Sequence, residues 1–159
     1  MLKTYLNKLK NYKFNPFYKS IYAIFIFLSS CVSPPEYSDG LLNNLPAIVN
    51  ETDYFSLSVF GEDFNDSLVW DLELSLTEDD ILLSTLIIKD LNILSSELST
   101  LVMTVASGDT IFNANILNDV IFTSEDSISV IGIPSSISLN AQNFTGRLEY
   151  QLIKNPVSG

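Results

Sequence analysis

The side chains able to do chemistry in this 159-residue chain are of few kinds: one cysteine, 19 aspartates and glutamates, eight lysines and arginines, seven tyrosines and no histidine. Without histidine there is no Ser-His-Asp or Cys-His relay, no HExxH zinc protease and no imidazole ligand for zinc. No glycine-rich phosphate loop occurs either. A carboxylate pair can run glycoside hydrolysis, but acids spread over this many positions make close pairs inevitable, so such a pair has no specificity. Carboxylates in turns also suit calcium, which takes hard oxygen ligands. Asp63-Phe64-Asn65-Asp66-Ser67 puts oxygens at 63, 65 and 67, the alternate spacing that begins an EF-hand loop. Leu68 then stands where the glycine is needed and Leu74 where the bidentate glutamate is needed. Glu78-Asp79-Asp80 reads as a charged hairpin tip and is the second calcium candidate. The residue types point to no catalytic group and no cofactor.

The thiol belongs to Cys31. A stretch carrying Lys3, Lys8, Lys10, Lys13 and Lys19 and no acid leads into the apolar run 21–28, followed by Ser29 and Ser30. Positive, apolar and small residues in that order make a secretory signal. Leu28-Ser29-Ser30-Cys31 resembles the lipobox of bacterial lipoproteins. The resemblance covers residues 1–31. It implies that Leu28, Ser29 and Ser30 are read by a signal peptidase, that 1–30 leave as a signal helix, and that Cys31 becomes a lipidated first residue, thioether-linked to diacylglycerol. Serines are small enough to let the backbone enter a peptidase cleft beside the bilayer. Two or more acyl chains at about 0.8 kcal/mol per buried methylene would anchor the product. The apolar run itself is far short of the roughly 20 residues a spanning helix needs. Val32 follows the cysteine, in place of the aspartate that retains such proteins at the inner membrane of enterobacteria. The resemblance therefore leans towards an outer membrane where the cell has one.

Loss of 1–30 would change the electrostatics sharply. Lys89, Arg147 and Lys154 would remain against all 19 acids. That surface repels phosphate backbones, which excludes nucleic acid as a partner. It also disfavours anionic headgroups and leaves the lipid anchor as the membrane contact. The plain role of such acidity is solubility and self-repulsion. With its one thiol consumed, the mature chain has no internal disulfide, so stability in an oxidising compartment must come from an apolar core. A hydrophobic content of 47% is ample for one.

The elements that must carry these residues follow from the periodicity. Residues 31–50 read as the lipidated cysteine and a flexible tether, because Pro34, Pro35, Pro46 and Gly40 discourage regular structure. Residues 51–159 read as the folded domain. In 67–77, Leu68, Trp70, Leu72, Leu74 and Leu76 share one face of a strand while Ser67, Asp71, Glu73, Ser75 and Thr77 share the other, with Val69 the one exception. Further strands are expected at 54–60, 81–89, 100–107, 110–116, 120–123, 127–133, 136–141 and 144–153. Gly108-Asp109 is suited to a tight hairpin turn, Ser124-Glu125-Asp126 separates two strands, and 90–99 fits either a short helix or a crossing connection. The expectation is an all-β, immunoglobulin-like or Greek-key β-sandwich of about 7–9 strands behind the signal helix and tether. A lipocalin-like barrel is the alternative.

Function follows as an expectation: a lipid-anchored, non-catalytic binding or scaffolding module of the bacterial envelope. Its membrane contact is the anchor and its partner an envelope protein offering a basic face. Trp70 shares its face with four leucines, and Tyr54 and Tyr150 lie on strands, so all three read as core. The alternative is a lipoprotein that binds a glycan or a small apolar molecule. A surface groove bearing Trp or Tyr would favour that alternative.

Overall fold

The computed structural model describes residues 40–92 and 98–156. Seven strands and one helical turn follow one another: β1 (Ala47–Asn50), β2 (Tyr54–Asp71), β3 (Ile81–Asn92), β4 (Ser99–Val105), β5 (Thr110–Ile116), β6 (Val120–Ser127), α1 (Ile128–Ile131) and β7 (Pro134–Lys154). Every named pair is antiparallel. β2 and β7 are much longer than an ordinary strand, and they pair along their whole length, from Tyr54 against Ile153 to Asp71 against Ser136. On the far side of β7, β3 takes the carboxyl-terminal half and β4 the amino-terminal half. β6 then adds to β3 and β5 to β4, while β1 lies outside β2.

The long ribbon of β2 and β7 is shared by two layers, and it bends where they part. Gly61 faces Gly146 across the ribbon, and the β2–β7 register slips on both sides of Phe64. Asp63 and Asn143 have left-handed backbones there, with φ of 50° and 49°, a region that Asp and Asn tolerate better than most residues. The same line crosses β3, where Asp90 has φ 55° and the register against β7 slips between Lys89 and Asn92. Bulges of this kind add bend and twist to a strand. They also explain why the expected strand at 54–60 and the first part of that at 67–77 run together as β2, which ends at Asp71 and leaves 72–77 outside any strand, and why those at 136–141 and 144–153 run together as β7.

Folding the ribbon brings two apolar faces together. Phe55, Leu57 and Val59 of β2, Leu82, Leu86 and Ile88 of β3, and Leu148, Tyr150 and Leu152 of β7 are buried on one layer. Leu101 and Met103 of β4 with Ile137, Leu139 and Ala141 of β7 are buried on the other. The layers meet where the Phe112 ring stacks on Tyr150 at 5.4 Å between centroids and the Tyr150 hydroxyl donates to Met103 Sδ at 3.9 Å. The all-β, sandwich-like expectation holds, with strands in the expected number.

Two local expectations are corrected. Residues 127–133 do not form a strand. Ser127 closes β6, and Ile128–Ile131 make one helical turn that buries Ile128 and stops at Gly132, whose φ of 84° suits glycine. The second concerns the tether. Ala47–Asn50 form β1, and just before them Asn43 bridges to Phe60 while Asn44 exchanges hydrogen bonds with the backbone of Glu62 at 2.8 and 2.9 Å. These asparagines have partners on β2, so the sheet claims part of the segment that Pro46 and Gly40 marked as irregular. Gly108-Asp109 does turn β4 into β5, with Gly108 at φ 90°.

Candidate functional site

Leu28, Ser29, Ser30 and Cys31, the residues of the lipobox resemblance, lie outside the described residues, as does the expected signal helix of 1–30. Among the described residues no helix is long and apolar enough to cross a membrane.

The first calcium candidate is the bend itself. The Asn65 amide donates to the Asp63 carbonyl and to Asn143 Oδ1, both at 2.9 Å, and Asn65 Oδ1 accepts the Asn143 N–H at 2.8 Å. Thr145 Oγ1 accepts the Asp63 N–H at 3.0 Å and donates to Asp63 Oδ1 at 3.3 Å. The Asp66 carboxylate accepts the N–H of Ser67 at 2.8 Å. Two of the three alternate residues that suggested a metal loop, Asp63 and Asn65, are engaged across the double bulge with Thr145 and Asn143. Their spacing came from the pleat, since alternate residues of a strand share a face.

At the second candidate, Glu78-Asp79-Asp80, the three acids have different surroundings. Asp80 is buried and turned inward, where Oδ2 accepts the Thr77 N–H at 2.6 Å and its hydroxyl at 2.9 Å. Asn155 donates to Oδ1 at 2.6 Å, and Lys154 Nζ lies 3.1 Å from Oδ2. The Asn155 amide first, then the Thr77 backbone and hydroxyl donors and Lys154, hold the Asp80 carboxyl well below the usual carboxylate range against an opposing push from burial. Asp80 also accepts the Ile128 N–H on its backbone oxygen at 3.0 Å, so this one residue ties the 77–80 turn to β7 and α1. Among the described residues no group of three or more acidic, histidine or cysteine side chains is disposed to hold a metal ion.

The aromatic residues sit largely inside. Tyr150 is fully buried, and burial pushes its phenol upward. Trp70 is half-buried and packs against the core beside Leu68. A cleft of about 570 Å³ opens at one end of the sandwich, between the β4–β5 turn and α1. Its lining is mixed: Val105, Ile111, Ile128, Val130 and Ile133 are apolar, and Glu78, Ser107, Asp109 and Ser129 are polar. No tryptophan or tyrosine lines it. Val130 at the tip of α1 is 82% exposed.

The remaining open chemistry is at the strand edges. Among the described residues β6 pairs with β3 alone and β5 with β4 alone. β6 presents two contrasting pairs of neighbours separated by Thr123 and Ser124: Ile121 and Phe122, 71% and 41% exposed, and then Glu125 and Asp126. Phe122 reaches the Phe112 ring of β5 at 5.9 Å between centroids. Glu125 and Asp126 are what the sequence reading missed. Ser124-Glu125-Asp126 looked like a turn, yet Ser84, Leu83 and Leu82 of β3 pair with them in unbroken register. Alternation gave no signal here, because Val120, Ile121 and Phe122 are all apolar and Thr123 to Ser127 all polar; only the pairing with β3 shows that the strand continues. Compared with known proteins, the chain matches no family model, no curated protein and no solved structure.

Proposed function

We propose that the chain is a lipid-anchored, extracytoplasmic module of the bacterial envelope that binds or scaffolds another envelope protein without catalysis. The lipobox resemblance at Leu28-Ser29-Ser30-Cys31 supplies the anchor and the location. The observation that carries the binding reading is the edge of β6, which among the described residues pairs with β3 alone and where Ile121 and Phe122 stay exposed beside Glu125 and Asp126. Strand edges are ready-made docking surfaces because their amides and carbonyls on one side lack a protein partner. The acid excess of the domain gives the partner its chemistry, a basic face. The test is in-cell crosslinking of the tagged full chain, with Cys31→Ser as the comparison and captured proteins identified by mass spectrometry. A dominant partner that disappears with Cys31→Ser is the expected result. No captured protein, or the same set from both chains, overturns the reading.

A second reading, a site for a small apolar molecule, is supported by the cleft beside α1. Its volume falls in the range of about 300–1,000 Å³ common to ligand pockets. With the aromatics in the core, a glycan has no stacking platform there. A ligand in this cleft raises Tm in the native chain and leaves Val130→Asp unchanged; no rise with any apolar probe removes the reading.

A further inference from the structure

We propose that the outer edge of β6 receives an extended segment of another protein in which two adjacent basic residues and two adjacent apolar residues stand two positions apart. The proposal rests on the binding-module reading above and specifies its partner.

The argument begins with what each β6 residue offers a neighbour. Phe122 pairs with the buried Leu86 and Asp126 with the buried Leu82, so their side chains lie on the core side of the layer. Ile121 pairs with Ile87 and Glu125 with Leu83, on the outer side. A strand added outside β6 places one residue opposite each of these, and opposite residues share a face. Both faces of the incoming strand then meet the same order: an apolar neighbour, a spacer from Thr123-Ser124, and a carboxylate. An antiparallel partner reads basic, basic, any, any, apolar, apolar from its own amino end, and antiparallel is how every named strand of this sheet already pairs. Opposite charges directly across a strand pair stabilise it, and like charges destabilise it.

Charge decides among the possible occupants. A second copy of the chain brings its own Glu125 and Asp126, and the described domain sets Lys89, Arg147 and Lys154 against many more acids, so two copies repel. An anionic lipid surface meets the same repulsion and supplies no backbone ladder. The other outer strands are poorer candidates. β1 has four residues, and β5 carries no charged side chain to select a partner. β6 is longer, with eight residues, and has both chemistries.

The test uses the full isotope-labelled chain and a short blocked peptide with Lys-Arg-Thr-Ser-Val-Ile at its centre and threonine and serine elsewhere. Two controls accompany it, a scramble of the same composition and a peptide with Glu-Glu in place of Lys-Arg. The expected result is amide shifts concentrated in 120–127, hydrogen exchange of the open-edge β6 amides slowed at least tenfold, and the scramble bound at least tenfold more weakly. Binding weakens with added salt. A chain with Glu125→Lys and Asp126→Lys prefers the Glu-Glu peptide, and Ile121→Ser weakens binding with the fold unchanged, since that side chain is exposed. Equal binding of peptide and scramble, shifts elsewhere in the sheet, or full binding after the double lysine substitution overturns the proposal. In that case the two acids serve to keep strand edges apart. An anchor-dependent crosslinked partner that survives the lysine substitutions removes this inference and leaves the wider binding reading intact.

Discussion

Alanine at Gly61 tests whether the sandwich is made by bending one ribbon. Gly61 sits on β2 at the bend, with its backbone against Phe144 of β7. A Cβ there would lie 2.4 Å from Phe144 Cδ1 and 2.6 Å from the Phe144 carbonyl oxygen. The ring cannot swing away without giving up its place in the core, where Phe144 is 3% exposed. The carbonyl belongs to a strand paired with β2 on one side and, at the next residue, with β3 on the other. Overpacking a filled site costs about 1–3 kcal/mol, and a clash with backbone as well as ring puts Gly61→Ala near about 3 kcal/mol. For a domain of this size that corresponds to a fall of about 10 °C in Tm. Gly108→Ala is the comparison, because its Cβ meets nothing within 4 Å and only its φ of 90° is strained, a cost of about 1 kcal/mol. Urea unfolding followed by the fluorescence of Trp70, the one tryptophan, gives both values, and circular dichroism checks that the two probes coincide. If Gly61→Ala is no more destabilising than Gly108→Ala, the close approach at the bend is not what shapes the ribbon.

Three other outcomes follow from the interior. Asp80 has its carboxyl held low by the Asn155 amide and the Thr77 donors, so its contribution is complete above the ordinary carboxylate value of 3.8 and is lost as pH falls below it. Asp80→Asn should lower the midpoint at pH 7 and flatten the acid limb of urea midpoints measured between pH 5 and 2; parallel limbs would contradict this. Tyr150 is held neutral by burial, so its share of stability is complete below the ordinary tyrosine value near 10 and is lost as pH rises past it. Tyr150→Phe should cost about 1 kcal/mol at pH 7 and soften the alkaline loss, read by the same unfolding curves. At the cleft, Ile128→Ala should cost about 2–4 kcal/mol because the side chain is buried, while Val130→Asp at the exposed tip should stay within about 0.5 kcal/mol of the native chain in thermal unfolding.

The fold class was legible because alternation of apolar and polar residues survives wherever one face is buried. It placed 110–116 correctly and 100–107 with an end two residues too late; the apolar run at 81–89 was also a strand, and Gly108-Asp109 located its hairpin correctly. Alternation records burial and not pairing, however. Leu72, Leu74 and Leu76 continue the pattern of β2 and remain half or fully buried although the strand ends at Asp71. The bend was invisible for a related reason. Gly61-Glu62-Asp63 and Gln142-Asn143 have the composition of loops, and only their cross-strand hydrogen bonds reveal a bulge inside continuous strands. α1 was misread because a short apolar run has no period long enough to separate a helical turn from a strand. Among candidate sites, the core placement of Tyr150 was readable from its strand. The Asp80 anchorage was only partly so: Thr77 is local, but Lys154 and Asn155 reach Asp80 only when the end of β7 lies beside the start of β3.

The sharing of β2 and β7 between both layers also governs how the chain can fold in time. Tyr54 needs Ile153, and both layers wait for β7, the last strand in the sequence. Contacts this far apart along the chain make for slow folding. A nascent chain therefore has no independent half to fold early, and it stays open until residues near 150 are free. Were the chain exported as proposed, that delay would keep it extended for passage through the membrane. It also leaves β2 without its ribbon partner for the whole interval, exposing Phe55, Leu57 and Val59. Apolar surface left open in this way favours aggregation until β7 is in place.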